Sequence, residues 1–148
     1  QGPPVNDEYK NIVYPVDFTK ESKEKLKWVA YLAHNFKIMV NVFVPHTSSR
    51  QDKKSIQANL TFAKKYLDNK EIDYDITVSK AKGSYVEQIL SFSHYIDADL
   101  IVIVISKNLR IEDYIFGVRE QAIITNNVKI PVMCIQPRED LSKTRGFQ

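Results

Sequence analysis

The residues best placed to do chemistry lie between Asp99 and Arg119. Leu100 to Ile105 form an unbroken apolar run, and Ser106-Lys107-Asn108 ends it. A run that short, rich in Ile and Val, reads as a strand buried on both faces. A polar loop follows, and Gly117 then opens a helical pattern. A buried strand, a loop and a helix start form the place where an open α/β sheet holds its ligand. Unbonded N–H groups at a helix start favour phosphate. Lys107, Arg110 and Arg119 add positive charge around that place, so the chemistry on offer is anion binding.

Other chemistry lacks its residues. His34, His46 and His94 have no metal-ligand spacing, so no metal is expected. Cys134 stands in an apolar run without flanking charge and reads as an inert core thiol. As the single cysteine it excludes an intrachain disulfide and fits a reducing compartment. There is no Gly-x-Ser-x-Gly elbow and no Walker loop. Asp97 and Asp99 precede a strand and are expected to cap a turn. The aromatic residues fall at helix and strand spacing, which points to core packing rather than a base-stacking platform. The chain is therefore not expected to be an enzyme.

The elements that must position the anion site alternate. Ile12 to Val16 is a first strand, its pairing expected to weaken at Pro15, which has no N–H. Asp17 or Thr19 can cap a helix with Leu26, Val29, Ala30, Ala33 and Phe36 on one face and Trp28 and Tyr31 at its edge. Ile38 to Val44 is the second strand. A second helix carries Ile56, Leu60, Ala63 and Leu67 and stops near Asp68-Asn69. Tyr74, Ile76 and Val78 alternate with Asp73, Asp75, Thr77 and Ser79, which predicts an edge strand with one wet face. Ser84 and Glu87 form a capping box for a third helix using Val86, Ile89, Leu90, Ser93 and Ile96. A fourth helix follows Gly117, using Val118, Ala122 and Ile123, and Pro131 to Ile135 is the last strand. This order implies a Rossmann-like α/β fold, a parallel sheet with helices on both faces.

Bulk properties agree. The 148 residues suit one domain, and 43% hydrophobic content suffices for a core. Net charge is +3, too small an excess to imply nucleic acid. The interleaved run from Lys20 to Lys25 reads as a solvated helix face. No run approaches the roughly 18 apolar residues of a membrane span, and no signal peptide is visible. A cytoplasmic location and no direct membrane insertion are expected. Gln1-Gly2 resembles a protease-site scar, so residues 1–8 read as a scar or flexible lead-in, 9–137 as the domain and 138–148 as a polar tail.

Three stretches together resemble the universal stress protein family: Tyr14-Pro15-Val16-Asp17-Phe18-Thr19, Ala98-Asp99-Leu100-Ile101-Val102-Ile103, and Ile130-Pro131-Val132-Met133-Cys134-Ile135. The resemblance covers about residues 9–137 and implies a five-stranded parallel sheet in order 3-2-1-4-5. It also implies an ATP site between strands one and four. Pro15, Asp17 and Val44 match positions that line the base and ribose, and Ile103 is counted with them among the nucleotide-binding positions that the resemblance implies. The family phosphate motif is Gly, two residues, Gly, nine residues, then Gly followed by Ser or Thr. Its positions fall here on Val104, Lys107, Gly117 and Val118. Only Gly117 keeps the family residue. Valine at 104 disfavours the positive φ that glycine permits, Lys107 puts bulk where backbone should approach, and Val118 lacks the phosphate-bonding hydroxyl.

The resemblance thus implies a regulatory or interaction domain that does not bind ATP in the usual family manner and needs no cofactor. It also implies a homodimer through Val132, Met133, Cys134 and Ile135, an otherwise exposed apolar edge. The alternatives are an ATP- or AMP-binding stress regulator, with Asp17 on the ribose and a basic loop replacing the glycines, and a cytosolic regulatory domain of a membrane transporter.

Overall fold

A computed structural model describes residues 10–19, 22–104 and 130–135. Strand β1 (Asn11–Pro15) leads to helix α1 (Ser22–Phe36) and strand β2 (Met39–Val44). Helix α2 (Arg50–Asn69), strand β3 (Tyr74–Val78) and helix α3 (Tyr85–Tyr95) follow. Strands β4 (Leu100–Val104) and β5 (Val132–Ile135) complete the described elements. All strand pairs are parallel, in the order β3-β2-β1-β4-β5. This is the expected architecture. The helix expected after Gly117 and the polar tail lie outside the described residues.

The period-two alternation of the inner strands divides the core in two. Ile12, Tyr14, Val40, Val42, Leu100 and Val102 face α1 and α2. Val13, Phe43, Ile101 and Ile103 face α3, where Phe43 stacks on Phe92 at 4.7 Å. Burial of each aliphatic side chain contributes about 1.5–3 kcal/mol. Pro15 acts as its chemistry requires. The bond from Val16 N to Phe43 O, 2.8 Å, shows that even-numbered residues of β1 turn to β2. The missing N–H of Pro15 therefore faces β4, where pairing ends at Val13 with Ile101.

The capping box forms in full. Glu87 N donates to Ser84 Oγ at 3.1 Å, and Ser84 N donates to Glu87 Oε1 at 2.7 Å. Three positions near helix ends take left-handed backbone without glycine: Lys37 (φ 52°), Glu71 (φ 57°) and Asp97 (φ 53°). At the ends of α2 and α3 the chain closes on the last turn, with Ile72 N on Leu67 O and Ala98 N on Ser93 O, a Schellman pattern.

Several expectations are corrected. Phe36 is 50% exposed, because it is the last residue of α1, where the chain turns through Lys37 toward β2. β3 is the expected edge, but both its faces are wet: Ile76 and Val78 are exposed although in register with buried Val42 and Val44. Asp97 and Asp99 do not act as turn caps through their side chains. Asp97 supplies the left-handed residue after α3, while Asp99 Oδ2 accepts from Lys10 N and Asn11 N, both at 2.9 Å. Asp99 thus clasps the start of β1 to β4. Cys134 is only half-buried, on a strand that among the described residues pairs on one side; burial pushes its thiol above the ordinary 9.0.

Candidate functional site

The C-terminal ends of β1, β2 and β4 lie together, as parallel pairing requires. Pro15 ends β1 and Val44 ends β2, both buried; Ile103 is buried near the end of β4, and Val104 is its last residue. Lys107, Gly117 and Val118 lie outside the described residues.

Asp17 stands just beyond β1 and is fully buried. Both its carboxylate oxygens are engaged. Oδ1 accepts from Thr19 N at 2.9 Å and from Thr19 Oγ1 at 2.7 Å. Oδ2 accepts from Lys25 Nζ at 2.8 Å. The same ammonium donates to Pro15 O at 2.5 Å and lies 5.0 Å from the Tyr14 ring centroid. Asn59 of α2 adds bonds from Nδ2 to the carbonyls of Asp17 (2.7 Å) and Thr19 (3.1 Å). The segment after β1 is thereby tied to two helices. Asp17 is not the cap of α1, which begins five positions later at Ser22.

Lys25 is the residue that sequence reasoning misplaced. It is only 1% exposed rather than part of a solvated face. Its place beside Leu26 on the buried stripe was the available signal, hidden by the alternating charges from Lys20 to Lys25. Burial pulls its ammonium below the ordinary 10.5, while the Asp17 charge and hydrogen bond oppose that shift.

At Phe18, the residue after Asp17, opens a cleft of about 490 Å³, lined among others by Pro45, His46, Asp52, Lys82 and Tyr85; Pro15, Asp17, Lys25 and Val44 are not in its lining. Two helix starts border it, α2 through Asp52 and α3 through Tyr85. Phe18 and Tyr85 meet edge to face at 6.0 Å between centroids. Buried Gln88 holds the rim: its Oε1 accepts from His46 N at 2.7 Å, and its Nε2 donates to His46 O at 2.9 Å and Gly83 O at 3.1 Å. Sequence reasoning missed Gln88 too, because a polar residue beside a helical stripe normally reads as surface. The cleft thus joins aromatic faces, both signs of charge and a braced backbone. Among the described residues no group of three or more His, Cys, Asp or Glu side chains could hold a metal ion, and no helix is long and apolar enough to cross a membrane.

The model of the universal stress protein family matches residues 8–136. The chain belongs to the universal stress protein family. Solved universal stress proteins share its fold. One from Archaeoglobus fulgidus is 22% identical, with a TM-score of 0.63, covering 86% of this chain and 93% of that one. The A. fulgidus protein in complex with dAMP is 22% identical, with a TM-score of 0.61 and coverage of 86% and 98%. A family protein from Arabidopsis thaliana with AMP bound is 14% identical, with a TM-score of 0.58 and coverage of 88% and 94%. A comparison with curated protein sequences gives no match.

Proposed function

We propose that this universal stress protein domain is a non-catalytic regulatory and interaction module that does not take ATP in the usual family manner. The observation that carries the reading is the Lys25–Asp17 pair. The carboxylate expected at the ribose is fully buried and already bonded to an ammonium, a hydroxyl and an amide. A ribose hydroxyl reaching it must enter a site closed to solvent and compete with these partners for the carboxylate. The sequence supports the same conclusion at the phosphates, where Val104, Lys107 and Val118 stand at positions of glycine and hydroxyl residues in the family motif. The module works as a homodimer, pairing through Val132, Met133, Cys134 and Ile135 of β5, which among the described residues has a strand neighbour only in β4. It acts in the cytoplasm, either alone or as the cytosolic part of a transporter.

Titration calorimetry with ATP and Mg²⁺ tests the nucleotide half of this reading. The expected result is no binding in the micromolar range; micromolar binding overturns it. Analytical ultracentrifugation tests the other half: Met133→Lys is expected to convert dimer to monomer.

A second reading is favoured by the cleft. Relatives of the same fold hold AMP and dAMP, and the space beside Phe18 and Tyr85 suits a planar base, with helix starts available to an anion. This reading makes the domain an AMP- or ATP-responsive regulator, with Lys107, Arg110 and Arg119 holding the anion. It requires Asp17→Ala to abolish nucleotide binding. Binding that survives the substitution rules out the ribose role.

A further inference from the structure

Among the described residues, edge strand β3 pairs only with β2. The bond from Ser79 N to Val44 O, 2.8 Å, fixes which of its groups are used. Along a parallel strand, alternate residues turn both backbone groups to the same side. Asp75, Thr77 and Ser79 therefore turn theirs to β2, while Tyr74, Ile76 and Val78 direct N–H and C=O to the open edge. The side chains of those three lie on the α1–α2 face, in register with Val40, Val42 and Val44. The helices do not cover them fully: Ile76 is 38% and Val78 62% exposed. On the other face Asp73 and Asp75 are exposed. The edge thus combines unused backbone groups, an aliphatic row and a row of carboxylates.

We propose that the β3 edge receives an extended segment of another protein in which aliphatic residues alternate with lysine or arginine. Strand addition supplies main-chain hydrogen bonds, and alternate side chains supply selectivity. Aliphatic residues of the incoming strand fall beside Ile76 and Val78. Its basic residues fall on the face of Asp73 and Asp75, where opposite charges across a strand pair attract and like charges repel. A second copy of this chain fits less well. Antiparallel pairing centred on Ile76 joins the two isoleucines and sets Tyr74 against Val78. It also opposes each Asp75 with Thr77, places the two Asp75 carboxylates on a diagonal, and offers neither a cation. This surface is independent of the β5 contact and of whether the cleft takes a nucleotide.

The test uses two capped synthetic peptides, Lys-Val-Lys-Ile-Lys-Val-Lys and Glu-Val-Glu-Ile-Glu-Val-Glu, read by amide hydrogen exchange. The lysine peptide is expected to protect the amides of Tyr74, Ile76 and Val78 and to bind about tenfold more tightly than the glutamate peptide. Val78→Lys, at an exposed position that leaves the core intact, is expected to abolish that protection. Asp73→Asn with Asp75→Asn is expected to erase the preference between peptides. The proposal is overturned if neither peptide protects these amides, if both bind equally, or if Val78→Lys protects as well as the parent. Protection that appears without peptide as protein concentration rises also overturns it, in favour of self-pairing. Because the readout lies on β3, failure here is distinct from failure of the β5 dimer or of the nucleotide reading.

Discussion

Lys25 Nζ lies 2.8 Å from Asp17 Oδ2, and both side chains are buried to within 1% of completeness. An ion pair removed from water in this way depends on both members. Removing one leaves the other charged, buried and uncompensated. Lys25→Met is therefore expected to destabilise the domain by about 3–5 kcal/mol. Adding Asp17→Asn to Lys25→Met should recover part of that loss, since the double variant buries no charge. Urea unfolding of the parent, the two single variants and the double variant measures the coupling; strict additivity would contradict it.

The same pair sets a pH dependence. Burial holds the Lys25 ammonium below 10.5 in the folded chain. Between that lowered value and 10.5, the unfolded chain binds the proton and the folded chain has released it. Stability supplied by this group therefore rises with pH through that window. Cys134 and Tyr74 act in the opposite sense, because their values are raised above 9.0 and 10.0 and the unfolded chain loses those protons first. They are common to both proteins in a comparison with Asp17→Asn/Lys25→Met and cancel. The stability difference, parent minus double variant, is expected to increase as pH climbs toward 10.5, as read by urea unfolding along a pH series.

Asp99 holds the first strand in place through Lys10 N and Asn11 N. Hydrogen bonds to a charged acceptor contribute about 1.5–3 kcal/mol. Asp99→Ala is expected to lose an amount of that order and to speed exchange of the Asn11 amide. Asp99→Asn, which keeps one acceptor oxygen, should lose less.

Left-handed backbone at Glu71 and Asp97 is strained for any residue with a Cβ. That strain is about 1–2 kcal/mol, offset in part by the extra unfolded-state freedom of glycine, roughly 0.5–1 kcal/mol. Glu71→Gly and Asp97→Gly are each expected to raise stability by about 0.5–1 kcal/mol. Thermal unfolding checks this, and a lowered midpoint would show that the side chains have a role beyond the turn.

Much of the fold was legible because it rests on repeating patterns. Leu26, Val29, Ala30 and Ala33 recur at helical spacing and are buried. Leu100 to Ile103 form a continuous apolar run and are buried on both faces. Ser84 and Glu87 carry a local signature that needs no tertiary information. The site was less legible because its key contacts join residues that pattern assigns to the surface. Lys25 sits in an alternating charge run, yet its neighbour across the turn is a buried carboxylate. Gln88 looks like any polar helix residue until the loop at His46 arrives from 42 positions away. The exposure of Ile76 and Val78 was hidden for the converse reason: alternation shows which face a residue joins, not whether a helix reaches far enough to cover it.

Among the described residues the order β3-β2-β1-β4-β5 leaves the two margins of the sheet at opposite sides, while the cleft beside Phe18 opens where the strands finish. Lys82 and Gly83, which line the cleft, follow β3 by four and five positions, so the cleft lies nearer the β3 margin in sequence than the β5 margin. The margins and the cleft are formed by different residues, so a substitution such as Val78→Lys alters a margin without touching the cleft lining.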